Sequence, residues 1–234
     1  MRKGDERKQE ILTAAEKLFC ARGYQETSVQ DILDELKVSK GAFYHHFESK
    51  GSVLETLCTQ RAEKAAERTR EALAKSEDNL ARLNTVLQGM SPLCMEEAAF
   101  LSMLLPQLFT HEGRTVCMAY QDALHSAFLP MMTDVVSTAA ADGIIAPAGG
   151  EDLADLLLVM MNHCWMHVAK MLLTQIDKAA QLSPAALLDT LTLYRAAMER
   201  LLDAPFGSIN LSDLEAWSKV AQEIERRIVL PAKA

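Results

Sequence analysis

The 234-residue sequence has little that would build a sheet. Strand-type alternation of Val, Ile and Thr is nearly absent and helix formers dominate, which predicts an all-α protein. It also lacks paired cysteines. Its five, Cys20, Cys58, Cys94, Cys117 and Cys164, are odd in number, scattered and without CxxC spacing. They fit reduced thiols in a cytoplasmic protein, mostly as core fillers. No convincing membrane span is present: the most apolar stretch, Leu153–Leu173, contains Asp155, Asn162, His163, His167 and Lys170, too many polar groups for lipid. The N-terminal MRKGDERKQE is charged and no apolar run follows it, so no secretory leader is expected. No Gly-rich phosphate loop, nucleophile elbow or paired-carboxylate pattern stands out. The expectation is therefore a protein that is not an enzyme, with no cofactor and no metal.

Excess positive charge is missing too. The net charge is −8, which at first argues against nucleic acid. Its distribution answers this. Residues 1–50 carry nine basic and nine acidic residues and are neutral; the acidity lies in residues 51–234. Whole-chain charge bears on solubility and non-specific binding, not on fold. A head that is only neutral should lean on two copies per binding site.

What is present centres on residues 27–50, TSVQDILDELKVSKGAFYHHFESK. Thr27 is a suitable N-cap, with Gln30 three residues later where a capping box wants it. Val29, Ile32, Leu33 and Leu36 repeat at i, i+3, i+4, i+7, one apolar helical face. Lys37-Val38 is the turn, and Ser39 caps a second helix starting Lys40-Gly41-Ala42. Phe43 and Phe47 face the core, leaving Lys40, Tyr44 and His45 outside. Two short helices joined by a tight turn describe a helix-turn-helix, whose second helix can enter a DNA major groove. Ser39, Tyr44 and Lys50 can donate to phosphate oxygens, as can backbone N–H groups at a helix start. Gly41 and Ala42 are small enough to let that start approach closely. Ser49 is the expected cap of the next helix and places Lys50 beside its N-terminus.

In these residues the chain resembles the TetR family of transcriptional regulators. Thr27, Ile32, Val38-Ser39-Lys40-Gly41, Phe43-Tyr44, His46-Phe47 and Ser49-Lys50 form an ordered string similar to that family's DNA-binding signature, and the likeness extends back through Lys8–Tyr24. The resemblance implies DNA contacts at Thr27 or Ser28, Ser39, Lys40, Gly41, Tyr44, His45 and Lys50. Three positions depart from the pattern: the usual turn Gly is Lys37, the small residue before it is Leu36, and a frequent Glu is Gly51. A Cβ at a left-handed turn position costs stability.

The remaining pattern predicts a head of residues 1–50, a connecting helix over 51–76 that can act as a lever, and a helical body over 77–234. Helix one should run from about Asp5 to Arg22, with Ile11, Ala15, Leu18 and Phe19 buried and Gly23 as its stop. The second half of the connecting helix is charge-rich and expected to be exposed. Further helices are expected over Asn79–Gly89, Met95–Leu105, Gly113–Ala141 with Pro130 inside, residues 151–176, 184–203 and 211–229. A proline inside a helix removes a backbone bond and kinks it. The helices at 151–176 and 184–203 are apolar on more than one side, so either the body wraps them or a partner covers them. The resemblance favours the partner: a homodimer through these two helices. A two-fold dimer with two reading helices implies a near-palindromic double-stranded operator with half-sites about 34 Å, or a multiple of it, apart.

For the body, Met103, Phe109, Met118, Phe128, Met131, Met160, Trp165, Met166 and His167 are candidate walls of a pocket for a small-molecule effector, because Met-rich surfaces adapt to varied ligands and cavities form between helices; plain core filling is the other reading of the same residues. His163 and His167, at i, i+4, have the spacing of a helical metal pair but no identifiable third ligand. The preferred reading is two hydrogen-bonded polar side chains facing a pocket or a dimer seam. The reading that follows is a sequence-specific DNA-binding regulator, a repressor released by an inducer. Two alternatives remain: a metal-dependent helical enzyme, and a helical protein-interaction module.

Overall fold

The computed structural model describes residues 3–76, 78–92, 97–146, 150–177, 184–211 and 214–229. Within them the chain is all helical: α1 (Lys3–Arg22), α2 (Val29–Leu36), α3 (Lys40–Tyr44), α4 (Lys50–Leu73), α5 (Asn79–Gly89), α6 (Ala98–Leu104), α7 (His111–Ala141), α8 (Gly150–Asp177), α9 (Pro184–Leu202) and α10 (Leu214–Val229). Cys94 and the expected start of the sixth helix at Met95 lie outside the described residues.

Two hydrophobic cores organise these helices. The first is the head. Ile11, Ala15, Leu18 and Phe19 of α1 meet Ile32 and Leu33 of α2, Phe43 of α3, Phe47, and Val53, Leu54 and Leu57 of α4, all nearly or fully buried. The same core also takes Phe100, Met103 and Leu104 from α6 and Val116 from α7. So α6, read from the sequence as a body element, closes the head from below. The second core fills the body with Leu83 and Val86 of α5, Phe128, Met132 and Val135 of α7, Leu157, Met161 and Val168 of α8, Met198 of α9 and Ile224 of α10.

Helix α4 passes through both cores. Its second half is not simply exposed, as its charge suggested. Ala62, Ala66, Thr69 and Leu73 form a buried stripe, and the charged residues occupy the other side. Small residues there let neighbours come close. A Cβ on Gly89 of α5 would stand 2.0 Å from Thr69 Oγ1, so glycine is required at that crossing. Helix α7 begins at His111, earlier than expected, because Thr110 caps it by accepting from Gly113 N at 3.0 Å. It continues through Pro130 to Ala141.

Helices α8 and α9 each bury one face. Gly150–Ile176 is long and apolar enough to cross a membrane, but only by length and composition. Its apolar residues go to two destinations. Leu153, Leu157, Cys164 and Val168 enter the body core, whereas Leu156 and Val159 are exposed beside Asp155, His163, His167 and Lys170. On α9, Leu188, Leu193 and Leu201 are likewise exposed, Leu193 at 69%. Leu156, Leu188 and Leu201 stand outside, because Leu157, Leu187, Leu191 and Leu202 fill the inner positions. Helix α10 packs on α6 and α8 through Val220, Ala221 and Ile224, and so lies on the body.

Candidate nucleic-acid interface and effector cleft

The head presents three capped helix starts close together. Ser28, not Thr27, caps α2: Asp31 N donates to Ser28 Oγ at 3.1 Å and Ser28 N donates to Asp31 Oδ2 at 2.8 Å, a reciprocal capping box. The hydrogen bonds from Ser28 hold the Asp31 carboxyl below its ordinary 3.8, and nearby Arg22 assists against a small desolvation effect. Thr27 is fully buried and donates to Gly23 O at 2.8 Å, so its side chain offers nothing to an external partner. This corrects both its expected cap and its expected surface role. The chain needed a residue there to close the α1–α2 corner, and threonine's hydroxyl serves that bend.

The turn then forms at Lys37, whose φ of 54° and ψ of 43° are left-handed. Val38 N returns to Leu33 O at 3.1 Å, and Ser39 caps α3 by accepting from Ala42 N at 3.3 Å. Lys40, Gly41, Tyr44 and His45 are exposed, Tyr44 at 55%, and Ala42 is half-buried. A Cβ on Gly41 would meet nothing nearer than Ser39 Oγ at 3.9 Å, and its backbone is not left-handed. Nothing inside the chain therefore requires glycine there. Ser49 caps α4 by accepting from Ser52 N at 3.1 Å, with Ser49 N returning to Ser52 Oγ at 3.2 Å. Beside it the Lys50 ammonium donates to Tyr24 O at 2.7 Å and lies 4.2 Å over the Tyr24 ring, which fixes its charge at the head surface.

Two adjoining clefts lie beneath the head. The larger, about 670 Å³ with its open mouth included, runs between α6, α7 and α8 past Leu105, Leu108, Cys117, Asn162, Trp165, Met166 and Ala169. Among the described residues no Asp, Glu, Lys, Arg or His lines it, and the buried indole N–H of Trp165 has no partner. The smaller, about 480 Å³ measured the same way, shares Met90, Leu101, Leu104, Tyr120 and Leu124 with the first and ends at Arg61, Arg68, Glu97 and Phe100.

Of the expected pocket residues, Trp165 and Met166 line this cleft. The others do not. Met103 turns up into the head core; Phe128, Met131 and Met160 pack in or against the body core; Phe109, Met118 and His167 are exposed. Methionine content does not show on which side of a helix a methionine faces.

The histidine pair also resolves. His163 and His167 are both exposed on α8, and His163 Nδ1 is hydrogen-bonded to the Tyr194 hydroxyl of α9. Among the described residues no three His, Cys, Asp or Glu side chains gather as a metal site. Burial pushes the Cys58 and Cys164 thiols up to about 12, so neither is a thiolate nucleophile at neutral pH.

Residues 11–57 match the family model of bacterial regulatory proteins, tetR family. The helix-turn-helix head of this chain belongs to the TetR family of transcriptional regulators. That family is not one of enzymes. The chain is 33% identical over 102 residues to YuxN, an uncharacterized HTH-type transcriptional regulator of Bacillus subtilis strain 168; the alignment covers 44% of this chain and 35% of YuxN. The chain thus spans about a third of the length of that curated relative. In fold it is similar to a TetR-family regulator from Pectobacterium atrosepticum, with TM-score 0.61, 21% identity and coverage of 88% and 99% of the two chains. It is also similar to the transcriptional regulator FadR of Bacillus subtilis, solved in complex with stearoyl-CoA, with TM-score 0.55, 16% identity and coverage of 84% and 98%.

The residues that join head to body have no signature in the sequence. Arg61 of α4 donates through Nη2 to Glu16 of α1 and through Nε to Glu97, just before α6, each at 2.7 Å. Its guanidinium lies 3.4 Å from the centre of the Phe100 ring. Burial works against the Arg61 charge, but the two carboxylates outweigh it and its pKa is raised. Gln25 also donates to Gln107 at 2.8 Å. Arg61 sits in a charge-rich run, and nothing in that run distinguishes it from its solvated neighbours.

Proposed function

We propose that the protein is a dimeric, sequence-specific DNA-binding repressor of the cytoplasm, released from its operator by a small molecule held in the cleft. The observation that carries the reading is the outer face of α3: a glycine that the chain itself does not need, flanked by exposed Lys40, Tyr44 and His45 behind a serine cap. A bare helix start can approach DNA closely, and its free N–H groups suit a phosphate. Ser28, Ser39, Lys40, Gly41, Ala42, Tyr44, His45 and Lys50 form the contact set, with Lys50 supplying a fixed cation; Thr27 supports it from inside.

Two such heads are brought together by α8 and α9. The exposed Leu156, Val159, Leu188, Leu193 and Leu201 on those helices support this interface, since contiguous apolar surface favours association. The effector acts by binding the arrangement that fits DNA poorly more tightly than the one that fits it.

Retention of duplex DNA as salt is raised tests the reading, alongside molar mass in solution. A dimer whose DNA binding falls steeply with salt supports it. A Leu193→Glu variant should run as a monomer and lose most of that binding. DNA binding that is absent or insensitive to salt in a folded dimer would favour a protein-interaction module instead.

A further inference from the structure

The cleft has two unlike halves. Among the described residues, the half by Trp165 carries no charged side chain. The half toward the head ends on Arg61, Arg68 and Glu97, and the two share one wall. Arg61 is held by two carboxylates from different parts of the molecule: Glu16 belongs to the head, and Glu97 leads into α6. Arg68 is exposed and has no ion partner among the described residues.

We propose that the cleft binds an amphipathic organic anion, its apolar body among Leu101, Leu105, Trp165 and Met166 and its anionic group on Arg61 and Arg68, taking the place of Glu97. This rests on the effector reading and specifies its ligand. A cation would meet two guanidinium groups. A neutral molecule would leave them unused, and a charge placed in the uncharged half would lose its hydration without a partner. A planar guanidinium suits a carboxylate or sulfonate in two-point geometry. Because Arg61 also holds Glu16 of α1, exchange at this one side chain is transmitted into the head.

Two dyes with the same aromatic body separate the possibilities. 8-Anilinonaphthalene-1-sulfonate carries the anion and N-phenyl-1-naphthylamine does not, and both fluoresce on entering an apolar cleft. The protein should bind the sulfonate tighter by about tenfold, the size of one charge-assisted contact. Arg61→Gln should reduce that preference to near one. Glu97→Gln, which leaves Arg61 uncontested, should strengthen sulfonate binding several-fold and leave the neutral dye unchanged. Ala169→Trp, which fills the uncharged half, should abolish both. Thermal melts establish that each variant is folded; if Arg61→Gln is not, Glu97→Gln decides the question, and its failure to favour the sulfonate overturns the proposal. Equal affinity for both dyes, with both lost in Ala169→Trp, overturns the anion and leaves the effector cleft standing. Binding of neither dye, or binding untouched by Ala169→Trp, overturns the cleft reading and this proposal with it.

Discussion

In the head, Ser28, Ser39 and Ser49 each accept a hydrogen bond from a backbone N–H three residues further on, and each starts a helix within a span of 22 residues. In the body the work is done at long range: Arg61 reaches Glu16 and Glu97, Asn84 donates to Ser208 O, and Asn210 N donates to Asn84. The head is specified by neighbours in sequence and the body by neighbours in space. A local code can be placed on rigid elements and kept while the body changes.

The most severe way to break this contrast is to damage the core that the two regions share. Phe43 is fully buried and packs edge-on against Tyr44 and at a tilt on Phe47. Phe43→Ala should cost about 3–5 kcal/mol in urea unfolding, the usual range for a buried Phe. Because Phe100, Met103 and Leu104 belong to the same core, the loss should appear as one shifted transition. Two separate transitions would mean that the head folds independently of α6.

A change on the surface should separate function from stability. Gly41→Leu meets open space within the chain, so the melting temperature should not fall, and leucine's better helix propensity favours a small rise. DNA affinity should drop by about a hundredfold, since a side chain now stands where the helix meets the backbone; that is about 2.7 kcal/mol. Unchanged affinity would remove α3 from the interface.

The turn gives a smaller effect of opposite sign. Lys37 sits in the left-handed region, where a Cβ costs about 1–2 kcal/mol. Lys37→Gly should recover roughly 1 kcal/mol after glycine's own entropic cost, measured by thermal melting, with DNA binding unaltered. No gain would mean that the lysine side chain makes up the strain.

The smallest expected effect is at Asp31, which is solvent-exposed. Its folded pKa is lowered, so its contribution to stability is present above the unfolded value of 3.8 and is lost as pH falls through the lower folded value. Asp31→Asn should therefore destabilise slightly at pH 7, with the difference closing as pH falls below about 4. A gap that persists at low pH would mean the carboxylate's charge is not what matters.

The same contrast explains what could be read in the sequence. Asn79–Gly89 was placed to the residue and α3's start was placed by Ser39, because caps and stops are local. Thr27 was exchanged with Ser28 as the cap because both have hydroxyls, and only the buried corner at Gly23 distinguishes them. The fold class followed from helical periodicity, and the exposure of Lys40, Tyr44 and His45 from the core spacing of Phe43 and Phe47. The cleft did not: Leu105, Tyr120 and Ala169 have no chemical signature, and they line it only because of how α6, α7 and α8 meet. Arg61 was hidden for the same reason, since its partners lie 45 residues upstream and 36 downstream.

The most direct test of the central claim, that the capped face of α3 reads DNA as one half of a two-fold pair, is selection of bound duplexes from a random pool at a stated salt concentration. The account predicts an enriched near-palindrome with half-sites about 34 Å, or a multiple of it, between centres. A folded dimer that enriches no sequence, or one that enriches a single unrepeated site, would contradict it.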